Sequence, residues 1–217
     1  MIDRRGPVPV ARLARWRQEG AELSLEEDDG ETGGPILFST AGTVDLPGGR
    51  LVVCDLTSMV SLPRERDPGR TRAIEVPPGR YPVLAGACDT SEGMALVLVG
   101  VQLGAGPATR WERVGSYDHA RVACACFLDE GRLATWVGHA RHLEALHEHI
   151  DAASANAAHL WWHGATIDLD PAGNAVAVIT SAEPDAVSVY AGRDAAGQLV
   201  AVVVDLHRST VVEGEDA

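Results

Sequence analysis

The chain has 217 residues and a net charge of −13, with 31 Asp and Glu against 18 basic residues, all of them arginine. A body this acidic argues against nucleic acid as a partner, because such binding depends on neutralising phosphates with Lys and Arg. The absence of lysine removes a P-loop of the usual kind, Schiff-base catalysis and kinase-type phosphoryl transfer, each of which uses a lysine amine.

The length suits one sizeable core, and the 46% hydrophobic content is ordinary for a globular chain. No apolar run approaches the ~20 residues that span a bilayer. The opening Met1-Ile2-Asp3-Arg4-Arg5-Gly6-Pro7 has no apolar block behind its arginines, unlike a secretory signal. The expectation is a soluble, cytoplasmic protein without a membrane partner. Arg4, Arg5, Arg12, Arg15 and Arg17 crowd the first 17 residues, and the remainder holds 13 Arg against 30 acids. These arginines are read as facing solvent or pairing with the acidic body.

In chain order, residues 10–19 read as a short amphipathic helix, with Val10, Leu13 and Trp16 at helical spacing. The run Glu26-Glu27-Asp28-Asp29-Gly30-Glu31-Thr32-Gly33-Gly34 reads as a solvated loop; its adjacent acids lack the alternation of a calcium loop. From Pro35 the texture becomes β. Strands are predicted at 36–38, 50–55, 73–76, 81–87, 95–101, 109–113, 121–128 and 133–137, with Pro- and Gly-containing turns among the segments between them. The continuous apolar run Ala95–Val101 suits a strand covered on both faces. One long helix is predicted from about His139 to Ala158, where His139, Leu143, Leu146, Ile150, Ala153 and Ala157 recur at three- and four-residue steps. Strands return at 165–169, 175–180, 187–191 and 199–206, the last two joined by a hairpin loop from Gly192 to Gln198.

The fold class is therefore mostly β (α+β): an antiparallel sandwich or bent sheet with one long helix packed on it. The organisation reads as an N-terminal helix and acidic loop over 1–34, a single mostly-β domain over 35–210, and an acidic tail over 211–217.

Cys54, Cys88, Cys124 and Cys126 lie in apolar surroundings and read as buried thiols. Cys124 and Cys126 alternate on one strand, but no second pair stands at zinc-like spacing. His159 and His163 are four apart, yet Leu160 stands where a zinc-protease helix needs its Glu. Neither a metal nor a cofactor is expected.

The ordered set of turn-and-strand motifs resembles a bacterial family catalogued as domain of unknown function 4241. The motifs are Gly49-Arg50 to Asp55, Pro78 to Val83, Trp111-Glu112, Cys126 to Asp129, Ser181, Asp185, Tyr190, Gly192 to Gly197, and Val202 to Asp205. Together they span residues 40–206. The family's turn around Asp185 is rich in glycine, whereas this chain has Ser181-Ala182-Glu183-Pro184-Asp185-Ala186. Pro and Ala do not replace glycine at positive φ, which puts any role of that turn in doubt.

The resemblance implies a mostly-β fold and no particular reaction. The polar residues of its motifs, Asp55, Arg80, Trp111, Glu112, Asp129, Asp185 and Asp205, are the candidate ligand-binding residues. No catalytic residue is assigned. The expected function is a protein-binding or regulatory module, immunity- or inhibitor-like, whose partner is a bacterial protein with a basic surface. The alternative is a hydrolase, or a small-anion-binding protein, using clustered Asp, His or Arg. Arg80 could bind an acidic group with bidentate geometry or pair with one of the chain's own acids.

Overall fold

The structure is a computed structural model that describes residues 13–18, 20–27, 30–55, 73–90, 93–118, 123–133, 148, 162–170, 173–180 and 186–206. Its strands are β1 (Glu22–Glu27), β2 (Gly30–Pro35), β3 (Leu37–Leu46), β4 (Arg50–Cys54), β5 (Ile74–Glu75), β6 (Gly79–Thr90), β7 (Gly93–Gln102), β8 (Arg110–Asp118), β9 (Ala123–Asp129), β10 (Trp162–Asp170), β11 (Gly173–Thr180), β12 (Ala186–Arg193) and β13 (Leu199–Asp205). β1 and β2 form a hairpin. The others make a five-stranded sheet, in the order β10-β11-β9-β4-β5, and a six-stranded sheet, in the order β3-β6-β7-β13-β12-β8. Every pairing among them is antiparallel.

Strand alternation builds the core between the two large sheets. Leu51 and Val53 of β4, Ala125 and Phe127 of β9, and Val176 and Val178 of β11 share one buried cluster with Val44, Leu46, Val83, Val99, Val101, Val189, Val202 and Val204 of the six-stranded sheet. A second cluster covers that sheet's other face. There Leu13 and Trp16 of the N-terminal segment pack with Ile36, Cys88, Val97, Leu98 and Val203. The apolar run on β7 is thus covered on both sides, as its composition requires. Its alternation is interrupted by a bulge: Gly86 pairs with Leu98 and Ala87 with Leu96, leaving Val97 as the extra residue.

Two sequence expectations are corrected. The acidic stretch expected as a loop is paired backbone, running from Glu22 opposite Pro35 to Glu27 opposite Gly30. Pairing recruits backbone groups whatever the side chains, and Leu23 and Leu25 alternate with polar residues before Asp28-Asp29-Gly30. The strand expected at 133–137 begins wrongly, since 130–133 is a helical turn and 134–137 lie outside the described residues. Asp129 starts that turn by accepting the Gly131 amide at 2.9 Å, as an N-terminal cap does. In the two Gly-Arg units, Gly49 has φ +64° within its turn, whereas Gly79 is an ordinary strand residue.

The predicted helix at 139–158 falls outside the described residues except for Glu148, which is helical. Of the first predicted helix, residues 13–18 show one turn that ends at Arg17. The acidic tail and Asp185 also lie outside the described residues.

Candidate functional site

The turn between β3 and β4 organises one end of the sandwich. Gly49 donates to Leu46 O at 3.1 Å and accepts from the Val76 amide at 2.9 Å, which ties the turn to the Pro77-Pro78 segment. Asp129, only 4% exposed, accepts from the amide of Gly48 at 2.8 Å and from that of Gly131 at 2.9 Å. Its carboxylate, with one amide on each oxygen, joins a β-turn to a helical turn. Beside it, Arg50 meets Glu130 at 2.5 Å and Glu75 at 3.8 Å. The hydrogen bond and charge of Glu130 raise the Arg50 pKa above its ordinary value, so the guanidinium stays charged.

Arg80 lies on the same end. It is directly opposite Asp45 across β6 and β3, and its Nε stands 2.7 Å from Asp45 Oδ1. The pair is a close charge contact without the geometry of a directed hydrogen bond. Arg80 has the acidic partner that the sequence reading weighed against an external anion. Tyr81 is half-buried, and its hydroxyl donates to Pro77 O at 2.7 Å. Between the sheets, Asn174 of β11 donates to Thr43 O at 2.5 Å and accepts from the Asp45 amide at 2.8 Å.

The other candidates lie elsewhere. Leu51 pairs with Asp129 and Cys54 with Cys126, so Asp55 and Asp129 stand at opposite ends of the β4–β9 ladder. Asp55 is fully buried and Asp205 is 8% exposed. β4 and β13 both run away from the end that holds the 47–49 turn, which puts these two carboxylates towards the far end. Glu112 is exposed on β8, with Arg193 Nε 3.9 Å away. His163 sits on β10, a strand, so the four-residue spacing from His159 does not describe a shared helical face there. Among the described residues, no three of His, Cys, Asp and Glu gather as a metal site requires.

Trp111 lines a cleft. The cleft has a volume of about 200 Å³ and lies between the N-terminal turn and the 103–108 loop; Trp16, Arg17, Gln102 and Pro107 also line it. The Trp111 ring lies over Gly192, where a Cβ would come within 2.7 Å of its Cζ3. That contact uses the benzo edge of the indole. Trp111 Nε1 is buried with no hydrogen-bond partner among the described residues. Trp16 Nε1 donates to Gln102 Oε1 at 2.8 Å, and Gln102 Nε2 donates to Val200 O at 3.0 Å and to Gly104 O. The sequence reading named Trp111 but not Trp16, Arg17 or Gln102 as parts of a site. The only sequence signal was the loop itself, Gly104-Ala105-Gly106-Pro107-Ala108, whose small residues leave room beside a tryptophan.

The chain matches no protein-family model, no curated protein and no solved structure.

Proposed function

We propose that this chain is a cytoplasmic protein-binding or regulatory module, immunity- or inhibitor-like, for a bacterial partner with a basic surface, and that it belongs with the family of domain of unknown function 4241. The observation that carries this reading is where the candidate polar groups sit. Asp129 caps two turns, Arg80 pairs with Asp45, and Asp55 lies at the other end of the ladder from Asp129. These groups serve the scaffold, and a rigid sandwich with a net charge of −13 is then suited to present an acidic surface. The family motifs support it by falling at element boundaries: Gly49-Arg50 opens β4, Gly192 to Gly197 spans the β12–β13 turn, and Asp205 closes β13.

The long helix expected over 139–158 belongs to the same proposal, as the cover of the outer face of the five-stranded sheet. Val52, Cys54, Cys126 and Leu128 alternate with the core residues of β4 and β9, are fully buried, and belong to neither core cluster.

A second reading, a hydrolase, is favoured by the two buried carboxylates Asp55 and Asp205 towards one end of the fold. The test separates the two. Immobilised protein should retain a partner from host extract in a complex that dissociates as salt rises. Turnover in a general hydrolase screen, abolished by Asp205→Asn in a variant that remains folded, would overturn the first reading in favour of the second.

A further inference from the structure

We propose that Cys54 and Cys126 are a redox pair, oxidised reversibly to a cross-strand disulfide by hydrogen peroxide. The proposal is independent of the partner reading above. The two residues stand directly opposite each other on β4 and β9, at the end of the ladder that begins with Leu51 and Asp129. Residues directly opposite on antiparallel strands share a face, with Cα atoms about 4.5–5.5 Å apart. A disulfide joins Cα atoms about 4.4–6.8 Å apart, so the backbone already holds this pair within bridging reach. Both side chains are fully buried and both are thiols. Cys88 supplies the contrast. It is equally buried, but Ala95 stands opposite it on β7. A lone buried thiol fills space as a small hydrophobe, whereas two thiols on one rung can exchange their hydrogens for a bond.

The place of this rung gives the oxidant its route. One end of the β4–β9 ladder is fastened by the Asp129 carboxylate on the Gly48 amide. At the other end Cys54 is the last residue of β4, while β9 continues past the rung to Ala123, paired with β11. Terminal rungs open locally at less cost than the body of a sheet, and hydrogen peroxide is small and neutral enough to enter such an opening. One thiolate attacks a peroxide oxygen and becomes a sulfenic acid, and with a proton the other oxygen leaves as water. The second thiol attacks the sulfenic sulfur, forms the S–S bond and releases a second water. The two thiols are thereby oxidised by two electrons and the peroxide is reduced. The opposite thiol intercepts the sulfenic acid before further peroxide takes it to the irreversible sulfinic acid. A small-molecule thiol reverses the bond by exchange. Once formed, the disulfide fastens the second end of the ladder and restrains the unfolded chain between the two strands.

The test treats the folded chain with a small molar excess of hydrogen peroxide, alkylates the remaining thiols in denaturant and digests with trypsin. Cleavage after Arg50, Arg64, Arg121 and Arg132 puts Cys54 and Cys126 in separate peptides. The expected product has lost two of the four thiols, and these two peptides are joined. Fragmentation should place the bond on Cys126 rather than on Cys124 of the same peptide. Cys88 should remain alkylatable, dithiothreitol should restore both thiols, and the oxidised chain should unfold at higher urea than the reduced one. Cys124→Ser should still form the bond and Cys126→Ser should not. Treated protein in which the two peptides stay separate overturns the proposal. So does a bond to Cys124, oxidation of Cys88 as readily as of the pair, or sulfinic acid or linked dimers in place of the intramolecular bond. If Cys126→Ser fails to fold, the wild-type peptide map decides the matter alone.

Discussion

Asp129 Oδ2 accepts the backbone amide of Gly48, 81 residues earlier in the chain, at 2.8 Å, while its Oδ1 accepts that of Gly131 at 2.9 Å. One buried carboxylate thus joins the turn that opens β4 to the turn that closes β9. Asp129→Asn keeps the shape but sets an amide donor against one of two backbone donors. A buried donor left unmatched costs about 1–3 kcal/mol. The urea midpoint should fall accordingly with an unchanged m-value. Wild-type stability in this variant would mean that the carboxylate is not what holds the corner.

Gly49 and Gly79 open corresponding turn-and-strand units in the sequence, yet their substitutions should differ. At Gly49 an added Cβ meets Val76 O at 2.6 Å, on a backbone already at φ +64°. Both obstacles are backbone, so Gly49→Ala should cost at least ~2 kcal/mol. At Gly79 the Cβ meets the Tyr81 hydroxyl at 3.0 Å, the far end of a side chain that can swing aside. Gly79→Ala then loses at most the Tyr81–Pro77 hydrogen bond, about 1 kcal/mol. Denaturant titrations of the two variants check the order, and equal losses would contradict it.

What the sequence disclosed and what it hid divide along physical lines. Valine-rich runs between turns disclosed most strands, because burial on both faces of a sheet leaves a continuous apolar signature, as on β7. The β1–β2 hairpin was hidden because backbone pairing does not require apolar side chains. The bulge at Val97 was hidden because every residue around it is apolar, so a change of face leaves no trace in the pattern. Asp129-Glu130-Gly131 was legible as a turn, but its bond to Gly48 depends on a strand pairing between distant segments. The cleft was least legible. Trp16 and Gln102 are 86 residues apart, and nothing local to either marks the other. Arg17 stands where the backbone would favour glycine, so its residue type concealed its conformation.

The Arg80–Asp45 pair should contribute little. Arg80 is 74% exposed and the contact sits at a sheet surface, where water screens the charges and the long side chain loses freedom when held. Arg80→Ala should change stability by less than ~0.5 kcal/mol, and a double-mutant cycle with Asp45→Ala should give a coupling below ~1 kcal/mol. The Asn174 bond to the Asp45 amide involves backbone and survives both changes. A much larger coupling would indicate that the pair is shielded from solvent.

Gln102 is the group that fastens the N-terminal segment to the six-stranded sheet. Its Oε1 receives the Trp16 indole, its Nε2 reaches Val200 O, and the residue is 8% exposed. Gln102→Leu leaves the Trp16 N–H unmatched beneath the surface, while the Val200 carbonyl keeps the amides of Leu103 and Gly104, so the change should cost about 1–3 kcal/mol. Trp16→Phe is the gentler cut. It removes the donor but keeps an aromatic ring to meet Phe38, whose centroid lies 5.3 Å from that of Trp16 in an edge-to-face contact. The two variants should therefore separate in kind as well as size. Gln102→Leu should expose the N-terminal segment to protease while the sheets stay folded, because the second cluster loses its polar fastening and the core between the sheets is untouched. Trp16→Phe should leave cleavage near the wild-type rate. Equal protection in Gln102→Leu would mean that apolar packing of Leu13 and Trp16 alone holds the segment.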